Sequence, residues 1–79
     1  MLISTQELVH EILLGAGPTG VTGREMSELV GGIAPGTAKM YLQRAVKSGL
    51  AIGELEQTPG YPDTLRTRYW SVESGGREA

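Results

Sequence analysis

A chain of 79 residues makes one small domain, able to withdraw only about 60% of its unfolded surface from water, so its core must be compact. It has no cysteine and one histidine, His10, which excludes a disulfide framework, a thiolate metal site and a multi-histidine metal site; no cofactor is expected. A net charge of −2 and a pI near 5.2 exclude a uniformly basic nucleic-acid binder, for which a domain pI above ~9 is usual.

In chain order, the opening MLISTQEL lacks a basic segment followed by a long apolar run, so neither a signal peptide nor a membrane span is expected, and a cytoplasmic location follows. Ser4 followed by Glu7 forms an S-x-x-E capping box and predicts a helix over about 5–15. Leu8, Val9, Ile12 and Leu13 make its buried stripe, with Gln6, Glu7, His10 and Glu11 facing water. Residues 15–20 (GAGPTG) read as a linking loop, and they lack the lysine and hydroxyl that a phosphate-cradling loop requires. Thr22 and Glu25 repeat the capping device and open a helix over about 23–30, with Met26, Leu29 and Val30 as its stripe. Gly31 and Gly32 end it, and Ile33 plugs the reversal.

The third helix, about 35–48, organises the rest. Ala34 stands at the cap, Pro35 suits a first helical residue, and Gly49 suits a left-handed stop. Ala38, Leu42, Ala45 and Val46 form an apolar stripe; Gly36, Met40, Gln43, Arg44 and Lys47 point the other way, with Thr37 and Lys39 on the flanks. Residues 33–50 carry Lys39, Arg44 and Lys47 and no acid, a local +3, while the remainder carries −5. Such polarity says more about partners than the mean charge does. Residues 51–56 and 65–72 then mix apolar and polar positions as half-buried strands do, and 57–64 (QTPGYPDT), with its prolines and glycine, reads as the loop of an antiparallel hairpin. Trp70 and Val72 are expected inward, Thr67 and Ser71 outward, and Tyr61 under its own prolines. Parity places Arg66 and Arg68 inward as well, but near a loop where the hairpin leaves the body. Residues 74–79 are expected to be disordered.

Three helices with a tight turn before the third, then a hairpin, resemble the winged helix-turn-helix domains of bacterial transcription regulators. The likeness is carried by GREMSELVGGIAPGTAKMYLQRAVKSGLAI (Gly23 to Ile52) and by RYWSV (Arg68 to Val72). One departure is Ala34, where the family usually has Ser, Thr or Asp; it removes a cap worth about 1 kcal/mol and a phosphate-contacting hydroxyl. The resemblance implies a mainly α domain over residues 1–73 with a small antiparallel hairpin, acting in bacterial or phage transcription by sequence-specific binding of double-stranded DNA. Helix 35–48 would enter the major groove, and the wing, residues 57–68, would lie on the backbone or the adjacent groove. Thr37, Lys39, Met40, Gln43 and Arg44 are the base-contact candidates: Gln43 for adenine, Arg44 or Lys39 for guanine or phosphate, Met40 for a thymine methyl. Lys47 would hold a phosphate, and Arg66 and Arg68 would serve the wing. A homodimer on two half-sites is expected, with helix 1, Leu2 and Leu14 as its surface. The competing expectation is a winged-helix adaptor or inhibitor that binds protein instead of DNA, which the net acidity and the bare Ala34 cap favour. No enzyme is expected: Glu7 and Glu25 serve as capping partners, and Glu54 and Glu56 have no nucleophile beside them.

Overall fold

A computed structural model describes residues 3–74. It contains three α-helices and a three-stranded antiparallel sheet: α1 (Thr5–Ala16), β1 (Val21–Thr22), α2 (Gly23–Val30), α3 (Pro35–Lys47), β2 (Ala51–Thr58) and β3 (Tyr61–Ser71), with short 3-10 turns at Gly17–Thr19 and Val72–Ser74. No helix among the described residues is long and apolar enough to cross a membrane.

The helix starts follow local chemistry. The Ser4 hydroxyl accepts from the Glu7 N–H at 3.1 Å. At Thr22 the capping box closes in both directions, Glu25 N–H to Thr22 Oγ1 and Thr22 N–H to Glu25 Oε1. Gly31 and Gly32, at φ +77 and +73, make the sharp reversal into α3, a conformation L side chains rarely adopt. Ala34 caps α3 through backbone alone. The helix ends at Ser48, and the next residue, Gly49, takes the left-handed conformation expected of it.

Val9, Leu13, Met26, Ala38, Leu42 and Ala45 form the buried centre. Two stripe residues are exposed instead. The buried face of α2 centres on Met26 and Ser27, which turns Leu29 away to 61% exposure. On α3 the buried face centres on Ala38, Leu42 and Ala45, which leaves Val46 at its edge, 38% exposed. α1 runs one residue past Gly15 and stops at Gly17. Its supposed wet side is partly covered by α3: Gln6 and His10 are half-buried, and Gln6 Nε2 donates to the Tyr41 carbonyl at 2.9 Å.

The sheet differs most from expectation. Val21–Thr22 is a strand, antiparallel to β3 with Val21 opposite Tyr69, so the strand order is β1-β3-β2 and the hairpin is part of a larger sheet. The supposed loop 57–64 shrinks to a turn at Pro59 and Gly60. Register shifts between Gln57, opposite Leu65, and Thr58, opposite Tyr61, which bulges residues 62–64 out of β3. Pro59 thus sits in the turn and Pro62 in the bulge, two places where no ladder N–H is needed. Both faces of β3 are covered at its C-terminal end, one by the core to which Tyr69 belongs and the other by the 17–20 turn against Trp70: Tyr69, Trp70 and Ser71 are all buried, against the expectation for Ser71. Trp70 lies over Gly20, where an added Cβ would stand 2.7 Å from its Nε1, and that nitrogen donates to the Pro18 carbonyl at 2.8 Å. The supposed 15–20 loop is therefore the seat of the buried indole. Val72 leaves the strand and is 40% exposed. Ser74 lies in the closing 3-10 turn, its hydroxyl on the Ser71 carbonyl; Leu2 and residues 75–79 lie outside the described residues.

Candidate nucleic-acid interface

The outward face of α3 follows from its period. With Ala38, Leu42 and Ala45 against the core, Gly36, Met40, Gln43, Arg44 and Lys47 point away from it, and all five are exposed. Lys39 is exposed on the flank toward the hairpin, and Thr37, on the opposite flank, is half-buried. Arg44 lies over the Tyr41 ring, 5.7 Å from its centre, which restrains a long side chain without removing it from the surface. Gln43 and Thr67 line the same groove as Tyr69, whose phenol pKa is pushed upward by burial, so Tyr69 stays neutral. Lys39 owes its place to a close approach of helices: a Cβ on Gly23 would lie 3.5 Å from the Lys39 Cβ.

The hairpin runs beside this face and leaves two concavities. One, of about 530 Å³, lies between Gln43, Val46 and Lys47 of α3 and Gly53, Leu55 and Tyr69 of the sheet. The other, of about 400 Å³, lies where the starts of α2 and α3 meet β3. The exposed Val46 thereby lines a groove instead of the core.

The arginines of the hairpin have a different fate. Arg68 donates from Nε and Nη2 to the two oxygens of Glu56 at 2.8 and 3.1 Å, and from Nη1 to Glu25 at 3.1 Å and to the Thr19 and Gly20 carbonyls. Its side chain is 14% exposed. Arg66 donates from Nε to Glu56 at 2.7 Å and keeps 31% exposure. Glu56 therefore lies between two guanidiniums, and the Arg68 hydrogen bond above all holds its carboxyl below the usual range; burial opposes this. Burial also works against ionisation of Glu25, but the Thr22 N–H and the Arg68 charge outweigh it and lower its pKa. The Glu56 hydrogen bond raises the pKa of Arg68 further, so the cluster is fully ionised at neutral pH. Glu25 Oε1 serves both the cap of α2 and the guanidinium of β3, which ties the hairpin base to a helix start.

The structure thus gathers Lys39, Met40, Gln43, Arg44 and Lys47 on one surface, sets Thr37 at its edge and Arg66 beside it, and withdraws Arg68 into an ion cluster. Tyr61 is not packed under its prolines; it stands 67% exposed near the tip. Sequence reasoning missed two residues. Glu56 pairs across the strand with Arg66 and diagonally with Arg68, a register set by the bulge at 62–64; counting back from a turn at Pro59 and Gly60 alone would have put Glu56 opposite Asp63. Arg24 lines the second concavity, and no local signal on α2 marks it. Among the described residues there is no group of three or more His, Asp or Glu placed to hold a metal ion. No family model, curated protein or solved structure matches the chain.

Proposed function

We propose that the chain is a winged helix-turn-helix domain that binds double-stranded DNA with sequence preference and regulates transcription. The observation that carries this reading is the α3 surface: Lys39, Met40, Gln43, Arg44 and Lys47 are exposed together, with no acid on the helix and no cover from the other described residues. An α-helix with one free face fits the major groove, where its first turns meet base edges. Gln43 pairs with adenine; Arg44 takes guanine; Met40 takes a thymine methyl; Lys47 and Thr37 hold phosphates. The order of elements, with a two-glycine reversal before α3 and a hairpin after it, supports the same reading. Arg68 has no part in DNA contact and instead holds the wing in place, which leaves Arg66 as the wing's cation.

Selection of duplexes from a random pool tests this directly. An enriched sequence is expected, bound with an affinity whose logarithm falls with the logarithm of salt by several units. Failure to bind any duplex at low salt overturns the reading. A second reading is favoured by one observation. The hairpin presents Leu55, Tyr61 and Leu65 at 59–67% exposure, which suits a wing that docks on a protein. That adaptor reading predicts loss of partner capture when these three are made polar, with duplex binding absent throughout.

A further inference from the structure

The second concavity has a composition that the DNA reading does not require. Arg24 enters it from α2, Lys39 from α3 and Arg66 from β3, and Thr22, Thr64 and Thr67 add hydroxyls. Three of the chain's seven basic residues share this one cleft, and no Asp or Glu among the described residues lines it, in a chain with nine acids. Like charges converging from three separate elements repel one another unless something negative lies between them. The partners they do have are partial. Arg24 approaches Glu28 only at 3.9 Å, with both side chains more than 70% exposed, a pair of little strength. Arg66 is held through Nε by Glu56, and that carboxylate is shared with Arg68. One wall is the first turn of α3, Pro35 and Gly36, where Ala34 supplies no side-chain cap and the Gly36 and Thr37 amides have no carbonyl in the helical ladder.

We propose that this cleft seats a phosphodiester of the DNA backbone, held by Arg24, Lys39 and Arg66. The proposal rests on the DNA reading and adds to it Arg24, on a helix that otherwise has no contact with the duplex. A phosphate fixed at the junction of α2, α3 and the hairpin would set how far α3 enters the groove and along which register, without specifying a base.

The test uses the whole chain and a pool of random-sequence duplexes over a salt series. Arg24 is 85% exposed in its side chain, so Arg24→Gln leaves the fold intact; Lys39→Gln is the companion variant. Each is expected to bind the pool about tenfold more weakly at low salt, with the log–log salt slope shallower by about 0.9, the contribution of one phosphate. Preference among sequences should be unchanged. Wild-type affinity and slope in Arg24→Gln overturn the seat. If the wild-type protein binds no duplex at all, the DNA reading fails on its own, and an NMR titration with inorganic phosphate then decides the cleft. Amide shifts confined to Arg24, Gly36 and Thr37, lost in Arg24→Gln, keep an anion seat but overturn the phosphodiester as its occupant. Absence of localised shifts overturns the seat as well.

Discussion

Two parts of the molecule carry basic side chains at similar density and put them to opposite use. On α3, Lys39, Arg44 and Lys47 stand exposed with no carboxylate on their helix. At the base of the hairpin, Arg66 and Arg68 are bound by Glu56, with Glu25 joining from α2. In the linear sequence the two sets look alike. The distinction is made across strands, since Glu56 lies ten residues from Arg66 and twelve from Arg68, and only the sheet register brings them together. A cation seen in a sequence is therefore offered to a partner only through the donors that its non-local neighbours leave unclaimed: Arg66 is held through Nε, Arg68 through all three of its nitrogens.

The largest effect is expected where the cluster is broken. Glu56→Ala leaves Arg68, 14% exposed, without its bidentate partner, and should lower unfolding stability by about 3 kcal/mol in urea titration. The same cluster sets an acid dependence. The fold depresses the Glu56 pKa below its ordinary 4.5, so its contribution is complete above that value and disappears as pH falls through the lower folded value. Wild-type stability should thus drop on acidification below about pH 4.5, and Glu56→Gln, already weaker at neutral pH, should drop less. An equal acid loss in the Gln variant would assign the dependence to other carboxylates.

On α3 the expectation reverses. Arg44→Ala removes an exposed side chain, so unfolding stability should change by no more than about 1 kcal/mol, the upper limit for its exposed contact with Tyr41. Affinity for a selected duplex should fall by about 2 kcal/mol, measured by gel shift or anisotropy, with discrimination relaxed at one base position. A large loss of stability with unchanged duplex affinity would put Arg44 in the same class as Arg68.

The division between what was readable and what was not follows the same line. The bounds of α2 and the capping box at Thr22 and Glu25 are set within four residues, so local sequence was enough to place them. The α3 surface was equally readable, because one helical period decides which residues face out. β1 was not, since two residues, Val21 and Thr22, become a strand only through pairing with β3, more than forty positions away. Residues 57–64 misled for a physical reason: proline and glycine mark irregular backbone, yet here one short turn and one bulge absorb both prolines and the ladder continues. The bulge, which no local signal marks, hid the Glu56 register and, with it, the fate of Arg68. Trp70 and Ser71 are both buried because the core covers one face of β3 and the 17–20 turn the other, which alternation along β3 alone could not indicate.

The smallest expected effect lies at Ala34, where the two uses of charge can be separated in one position. Ala34 has the extended geometry of a cap, φ −75 and ψ 154, but no side-chain hydrogen bond to the helix start. Ala34→Ser should therefore stabilise the fold by about 1 kcal/mol through a bond to an amide in the first turn. Ala34→Asp should stabilise it by a similar amount, with the helix dipole helping. Their effects on duplex binding should diverge. The serine is neutral and can itself donate to a phosphate, whereas the aspartate sets a negative charge one residue before Pro35 and Gly36, which wall the cationic cleft. Affinity for the random pool should hold in Ala34→Ser and fall in Ala34→Asp, with both melting temperatures raised. Equal duplex affinity in the two variants would mean that the start of α3 lies away from any phosphate.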